Sequence, residues 1–337
     1  MERIYTIEYQ TEQKGRVEIG SWQSVAKKYA TFMRTIAIVD RAVADREEIA
    51  EIFPEMITIE AGEGIKSLEV VAELWQMLCE MEVDRQCLLV AIGGGTITDL
   101  VGFVAATYMR GIRCVLFPTT LLGQVDAAIG GKCAINMGGY KNMVGAFALP
   151  SQVVCDPSWL ATLPEREWRA GMAEIIKTAI IGDKELFELL EQKSLSDVRQ
   201  DATLLGEIVT RCVAVKCGIV QRDLCESDER RLLNLGHTFA HAIESLTEEL
   251  SHGEAVAVGL AMSARKAVEM GVLDENTASR IVALVERYDL PIESPIPAEE
   301  LYSAMLHDKK TQQGIIHWIL PTQIGHCIIQ NETLAWM

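Results

Sequence analysis

Cys87-Leu-Leu-Val-Ala-Ile92 runs without a polar break into Gly93-Gly94-Gly95-Thr96, and a helical pattern follows from Ile97 to about Tyr108. A stretch that is apolar at every position is covered on both faces, which is the situation of a strand in a parallel sheet flanked by helices. A glycine turn between such a strand and a helix lets a diphosphate approach backbone N–H groups at the positive end of the helix. The turn is not G-x-G-x-x-G, because Thr98 stands where a further glycine would fall. A plain strand-to-helix connection with no ligand therefore stays open beside the nucleotide reading. No acidic residue suited to a ribose follows the turn closely; Asp40, after the apolar run Thr35-Ile-Ala-Ile-Val39, is the better candidate.

The same grammar repeats around this unit. Met56-Ile-Thr-Ile-Glu60 and Arg113 to Phe117, the latter closed by Pro118, read as strands, and Ser67 to Cys79 has helical spacing at Leu68, Val71, Leu74, Trp75 and Leu78. Strands alternating with helices predict an α/β fold of Rossmann-like, dinucleotide-binding character over residues 1–150. After Pro150 the pattern turns helical, over 165–181, 184–192, 202–221, 230–246, 253–270 and 276–288, which predicts a mostly α-helical half over 151–337. The stretch 315–329 reads as strand and is expected to return to the rest of the fold. At 337 residues, two domains of ordinary size are expected.

Charge and cysteine usage exclude several classes. With 31 basic against 48 acidic residues the net charge is −17, so nucleic acid and anionic membrane are not expected partners. An anionic substrate then needs a local basic cluster. No run approaches the length of a membrane span, and the first residues show no signal-peptide core. Nine cysteines, with no CxxC pair and several inside apolar segments, suit a reducing compartment, so a cytoplasmic location is expected.

Three of the six histidines fall close together. His237 and His241 are four residues apart and share a helix face, and His252 follows a short turn. Glu174 is a carboxylate in the otherwise apolar stretch Ala-Gly-Met-Ala-Glu-Ile-Ile-Lys. Two histidines and a carboxylate with one open position make a catalytic zinc arrangement, although Thr238 occupies the glutamate position of HExxH and ordinary surface histidines are the alternative. Basic residues sit in polar or glycine-rich settings: Lys132, Lys141 beside Asn142, and Lys309-Lys310. Lys177 lies one turn after Glu174, and Lys216 and Arg230 flank the approach to the histidine helix. Together they suit anion recognition; singly, each reads as a solvated lysine or arginine.

Taken together these residues resemble the 3-dehydroquinate synthase family of sugar-phosphate cyclases. The matching strings are Gly-Gly-Gly-Thr-Ile-Thr-Asp-Leu (93–100), Thr-Tyr-Met-Arg-Gly (107–111), Pro-Thr-Thr-Leu-Leu (118–122), Val-Asp-Ala-Ala-Ile-Gly-Gly-Lys (125–132), Lys-Asn (141–142), Gly-Met-Ala-Glu-Ile-Ile-Lys (171–177), Leu-Asn-Leu-Gly-His-Thr-Phe-Ala-His-Ala-Ile-Glu (233–244) and His-Gly-Glu (252–254). Asp308-Lys309-Lys310 is similar too. The resemblance implies an N-terminal NAD-binding α/β domain and a C-terminal helical domain, with bound NAD, a divalent zinc or cobalt ion, and a homodimer. It implies conversion of 3-deoxy-D-arabino-heptulosonate 7-phosphate to 3-dehydroquinate and phosphate, a step of the shikimate pathway. The route is transient oxidation by NAD, phosphate elimination, reduction and intramolecular aldol closure.

Carried over by position, the resemblance makes Glu174, His237 and His252 metal ligands. Gly93, Gly94, Gly95, Thr96, Ile97, Thr98, Asp99, Thr119, Thr120, Lys132, Lys141, Glu63, Lys66 and Trp159-Leu160-Ala161-Thr162 fall at NAD-side positions. Asp126, Lys132, Asn142, Lys177, Lys216, Arg230, Asn234, His241 and one of Lys309 or Lys310 fall at substrate positions, and Arg110 matches an arginine that reaches the partner's site. Arg230 and Lys216 are expected on the substrate carboxylate, and Asn234, His241, the 309/310 lysine and the partner's arginine on its phosphate. The sequence departs from the family at Thr98 and at Ala61, where aspartate is common. The rival activities are a sibling cyclase making a secondary-metabolite carbocycle, whose substrate lacks the carboxylate, and a metal- and NAD-dependent polyol dehydrogenase, which needs no phosphate site.

Overall fold

A computed structural model of the chain describes residues 14–307 and 315–333. The N-terminal part comprises β1 (Arg16–Ile19), α1 (Trp22–Phe32), β2 (Thr35–Asp40), α2 (Arg41–Ala44), α3 (Glu47–Ile52), β3 (Met56–Ile59), α4 (Leu68–Glu80), β4 (Leu88–Gly93), α5 (Gly95–Thr107), β5 (Arg113–Pro118), the pair β6 (Lys132–Met137) and β7 (Tyr140–Phe147), and β8 (Gln152–Cys155). Six of these strands form one parallel sheet in the order β1-β8-β5-β4-β2-β3. The four inner strands, β8, β5, β4 and β2, are buried almost throughout, as their unbroken apolar runs require. One sheet face packs on Trp22, Phe53 and Trp159; the other is continuous with the core of the helical part. Because β8 lies beyond Pro150, the sheet part runs past residue 150, and the change to helical character comes after the short turn at 157–162.

The helical part comprises α6 (Glu165–Gly182), α7 (Lys184–Glu191), α8 (Leu195–Gln200), α9 (Ala202–Arg222), α10 (His237–Leu246), α11 (His252–Glu269), α12 (Glu275–Arg287) and α13 (Ala298–His307), followed by the antiparallel pair β9 (Ile315–Gln323) and β10 (His326–Thr333). That hairpin packs on α6 and α11, so the C-terminal strands do return to the fold. The single helix expected over 230–246 is two pieces. A 3-10 turn over 229–234 ends at Leu235, and Gly236, with φ +78°, reverses the backbone before α10 begins. The break has a packing cause: a Cβ on Gly259 of α11 would lie 2.0 Å from the carbonyl oxygen of Gly236, so two bare backbones touch there.

Helix α6 is buried without interruption from Ala170 to Ile181. Its apolar residues fill the core between sheet and helices; the two charged residues within that span, Glu174 and Lys177, must therefore find partners inside the protein.

Candidate active site

Parallel strands end together, and the ends of β2, β4 and β5 bring the sequence-expected nucleotide residues to one edge of the sheet. Asp40 closes β2, the glycine turn closes β4, and Thr119 follows β5 and donates its N–H to the carbonyl of Gly93 (3.0 Å). Helix α5 starts at Gly95 with no side-chain cap, leaving its first N–H groups for an anion. Asp40 accepts from the N–H of Ala42 (3.0 Å) and so caps α2. Lys66, buried, donates to Asp99 (2.8 Å) and Asn142 (2.5 Å), and Glu63 accepts from Asn136 (2.9 Å). Four residues expected on the cofactor side face elsewhere. Ile97 and Thr98 turn into the core beneath α5, and Trp159 and Leu160 are buried, Trp159 against Trp22; from these only backbone groups are available. The reason is helical phase for Ile97 and Thr98, and the aromatic packing of the sheet face for Trp159.

The metal trio comes together. Glu174, fully buried, presents Oε1 at 3.4 Å from His252 Nε2 and 3.8 Å from His237 Nε2. Among the described residues these three form the one group of His, Cys, Asp and Glu ligand atoms lying within 4.8 Å of one another. Close helix packing sets this up. A Cβ on Gly253 would sit 2.3 Å from Ala170 Cα, so the start of α11 presses on α6 and brings His252 against Glu174. The Gly236–Gly259 contact fixes the start of α10, and with it His237.

The electrostatics fit a cation at this point. His237 Nδ1 lies 3.2 Å from the Leu235 carbonyl, to which it donates as N–H, leaving a bare Nε2 lone pair toward the carboxylate. Burial, with the Lys177 charge nearby, holds His237 well below the ordinary imidazole range, so it is neutral. Both oxygens of Glu174 are buried; Oε2 is ion-paired with Lys177, and Oε1 faces the two imidazoles with no hydrogen bond of good geometry among the described residues. A lone pair and an unsatisfied carboxylate oxygen facing each other repel unless a positive ion stands between them. Burial works to raise the Glu174 carboxyl, but Lys177 and His252 outweigh it and hold it well below the usual carboxylate range. Desolvation likewise works to lower His252, yet Glu174 and Glu244 together push it up to about 10. These two carboxylates flank its ring, Glu244 Oε1 being 3.5 Å from Nδ1.

Behind the trio runs a charged chain. Lys177, buried, pairs with Glu174 and with Asp126 Oδ2 (3.3 Å). Asp126, from the turn after β5, also takes Lys216, which donates to its carbonyl at 2.6 Å and to its carboxylate. Beside this lies the basic cluster. Arg230 is 1% exposed, donates to the Leu224 carbonyl, stacks 5.6 Å over Phe147 and packs under Gly130. Lys132 (2.5 Å) and Asn234 (2.5 Å) both donate to Glu226. His241 stands edge-on to His237, ring centroids 5.5 Å apart. Asn142 points to Lys66 on the nucleotide edge rather than to the Lys177–Lys216 group, with a left-handed backbone (φ +52°). Arg110 is exposed on a turn where Met109, Arg110 and Gly111 all have positive φ. Lys309 and Lys310 lie outside the described residues.

Sequence profiles described as 3-dehydroquinate synthase N-terminal and 3-dehydroquinate synthase C-terminal match residues 56–170 and 171–311. The chain belongs to the 3-dehydroquinate synthase family. Among the relatives, the 3-dehydroquinate synthase of Pelobacter propionicus is 42% identical over 322 residues, covering 95% of this chain and 87% of that one. The enzyme of that name from a Sulfurovum species is 44% identical over 281 residues, covering 82% and 79%. Among solved structures, 2-epi-5-epi-valiolone synthase from Streptomyces hygroscopicus subsp. jinggangensis, described with NAD+ and Zn2+ bound, superposes with a TM-score of 0.88 at 30% identity, covering 98% and 96%. A 2-deoxy-scyllo-inosose synthase complexed with carbaglucose-6-phosphate, NAD+ and Co2+ gives 0.83 at 26%, covering 94% and 91%. The fold of this family, a Rossmann-like α/β part followed by a helical part, is the fold described above.

Two site residues escaped the sequence reading. Glu226 gives no signal in the sequence, being one acid among several in a polar loop. Glu244 does give one: it lies two helical turns after His237 and three residues after His241, on the same face of α10.

Proposed function

We propose that this chain is a 3-dehydroquinate synthase, a lyase that converts 3-deoxy-D-arabino-heptulosonate 7-phosphate to 3-dehydroquinate and phosphate. A single observation carries the catalytic part: a buried carboxylate oxygen and two imidazole Nε2 atoms, one from a neutral ring, lie within 4.8 Å of one another. Glu174, His237 and His252 would hold a zinc or cobalt ion, and the edge formed by β2, β4 and β5 would hold NAD. When bound, the cation would acidify the substrate hydroxyl that is oxidised, and NAD would accept a hydride and later return it.

The chain's own residues bind and orient. Arg230, Lys216 and Lys132 gather positive charge in a protein whose global charge is −17, and their place is the substrate carboxylate. Asn234, His241 and one of Lys309 or Lys310 serve the phosphate. Lys177 keeps Glu174 ionised, and Asp126 keeps both neighbouring lysines in place. Their combined work is positioning and electrostatic stabilisation. The exposed, left-handed turn at Arg110 suits an arginine delivered to a second copy, so the active form is a homodimer. The sheet part serves NAD, and the helical part serves metal and substrate. Among the described residues no helix is long and apolar enough to cross a membrane, and the biosynthetic role with nine free cysteines points to the cytoplasm.

Incubation with the heptulosonate phosphate tests this. Phosphate and 3-dehydroquinate are expected in equal amounts, with no net NADH, and loss of both when a chelator is present. Net NADH with a polyol and no phosphate release would instead mean a dehydrogenase.

A further inference from the structure

The His252 ring spans two carboxylates. Its Nε2 faces Glu174, and its Nδ1 faces Glu244 Oε1 at 3.5 Å. Glu244 is not loose: its side chain is 10% exposed, and Lys141 Nζ donates to the same Oε1 at 2.8 Å. Lys141 sits on the β6–β7 hairpin, whose next residue, Asn142, accepts from Lys66 on the nucleotide edge (2.5 Å). One hairpin thus reaches from the end of the sheet to the outer side of a candidate metal ligand.

Backbone alone does not orient the ring. His252 is the first residue of α11, whose start is held by Ser251 and Glu254 in a reciprocal cap, and that cap fixes Cα but leaves the side-chain torsions free. His237 has a carbonyl on its Nδ1; among the described residues the acceptor facing His252 Nδ1 is instead Glu244 Oε1, at the ion-pair distance of 3.5 Å. An acceptor on Nδ1 selects the tautomer whose Nε2 carries a lone pair, and it holds that lone pair on the line to a metal.

We propose that Glu244, steadied by Lys141, is a positioning residue that sets the tautomer and direction of His252 for metal binding. This rests on the metal reading above. The competing account is a doubly paired imidazolium with no metal role for Glu244.

Cobalt alone is the probe, with affinity measured by competition against a chromophoric chelator and geometry by the visible d–d bands. NAD and substrate are left out. Glu244→Ala should weaken cobalt by roughly ten- to a hundred-fold and shift the bands, and Glu244→Asp should recover part of the loss. Lys141→Met, a change at a half-exposed position, should weaken cobalt by about threefold, less than loss of Glu244 itself. His237→Ala is the control. If wild type binds one cobalt, His237→Ala loses it, and Glu244→Ala stays within about twofold with unchanged bands, this proposal fails and the metal reading stands. If wild type binds no cobalt, the metal reading fails and takes this one with it. Should Glu244→Ala not fold, Lys141→Met decides, and an unaltered affinity there overturns the proposal.

Discussion

Lys177→Met tests whether the buried charges are coupled as described. The lysine is 1% exposed and is the nearest cation to Glu174, whose carboxylate is fully buried. Removing one partner of a buried pair leaves an uncompensated charge and costs about 3–5 kcal/mol. Asp126 keeps Lys216, so one carboxylate rather than two is orphaned, and the low end of that range applies. At about 2.1 cal/mol/K of unfolding entropy per residue, 337 residues give about 0.7 kcal/mol/K, so a loss of about 3 kcal/mol lowers Tm by roughly 4 °C. The measurement is a thermal melt of metal-stripped protein, with Glu174→Gln and the double variant completing the cycle. The double variant should be less damaged than the sum of the singles by about 1–3 kcal/mol. The pH dependence has a definite sign. In wild type the Glu174 carboxyl is held below its ordinary value, so its contribution is complete above that value and is lost only as pH falls through the lowered pKa. Without Lys177 the largest lowering influence is gone, burial weighs more, and protonation of Glu174 relieves the variant. The gap between variant and wild type should therefore narrow as pH falls. A Tm within about one degree of wild type, or a gap that widens on acidification, would refute the reasoning.

Arg230→Ala should lower kcat/KM by roughly thirty- to a thousand-fold, about 2–4 kcal/mol, as measured by phosphate release; an unchanged value would remove Arg230 from the carboxylate site. Gly253→Ala forces a Cβ to 2.3 Å from Ala170 Cα, so α11 must back away from α6. A melt should show about 1–3 kcal/mol of destabilisation, and cobalt titration should show weaker binding because His252 moves with the helix. Of nine thiols, only Cys79 and Cys225 are exposed, and burial raises the pKa of Cys114, Cys212 and Cys327. Native titration with a disulfide reagent should find two fast thiols, with Cys217 slower and the rest released by denaturant; four or more fast thiols would contradict the packing.

The legible parts of the fold were those with a strong local period. The inner strands β2, β4 and β5 and the helices α4, α6, α9 and α11 stand close to where apolar spacing put them, because each buries a continuous run or stripe. The β6–β7 hairpin had no such signature: β7 is exposed along most of its length, so nothing in its polarity alternates. The break before α10 was invisible for another reason. Asn234 and Gly236 lower the helix propensity of Leu-Leu-Asn-Leu-Gly-His, but what demands a full break is the backbone of Gly259, more than twenty residues on. Within the site, Glu174 and the histidines were readable as residue types that suit a metal, but their convergence was not, since it depends on which helices touch. Ile97, Thr98, Trp159 and Leu160 have buried side chains, so any contact they make with a cofactor is through the backbone; a motif match gives a chain position, not the direction in which a side chain points.

The contacts Gly253–Ala170 and Gly236–Gly259 also bear on transplanting the site. Anyone grafting the glutamate and two histidines onto another helical scaffold would copy the ligands and miss what aligns them. The portable unit is five positions larger than the donor set suggests, for Ala170, Gly236, Gly253 and Gly259 hold the interhelical spacing and Glu244 orients one ring. A graft that kept the three donors but restored ordinary side chains at the two crossings would separate the helices and leave the donors too far apart to share an ion.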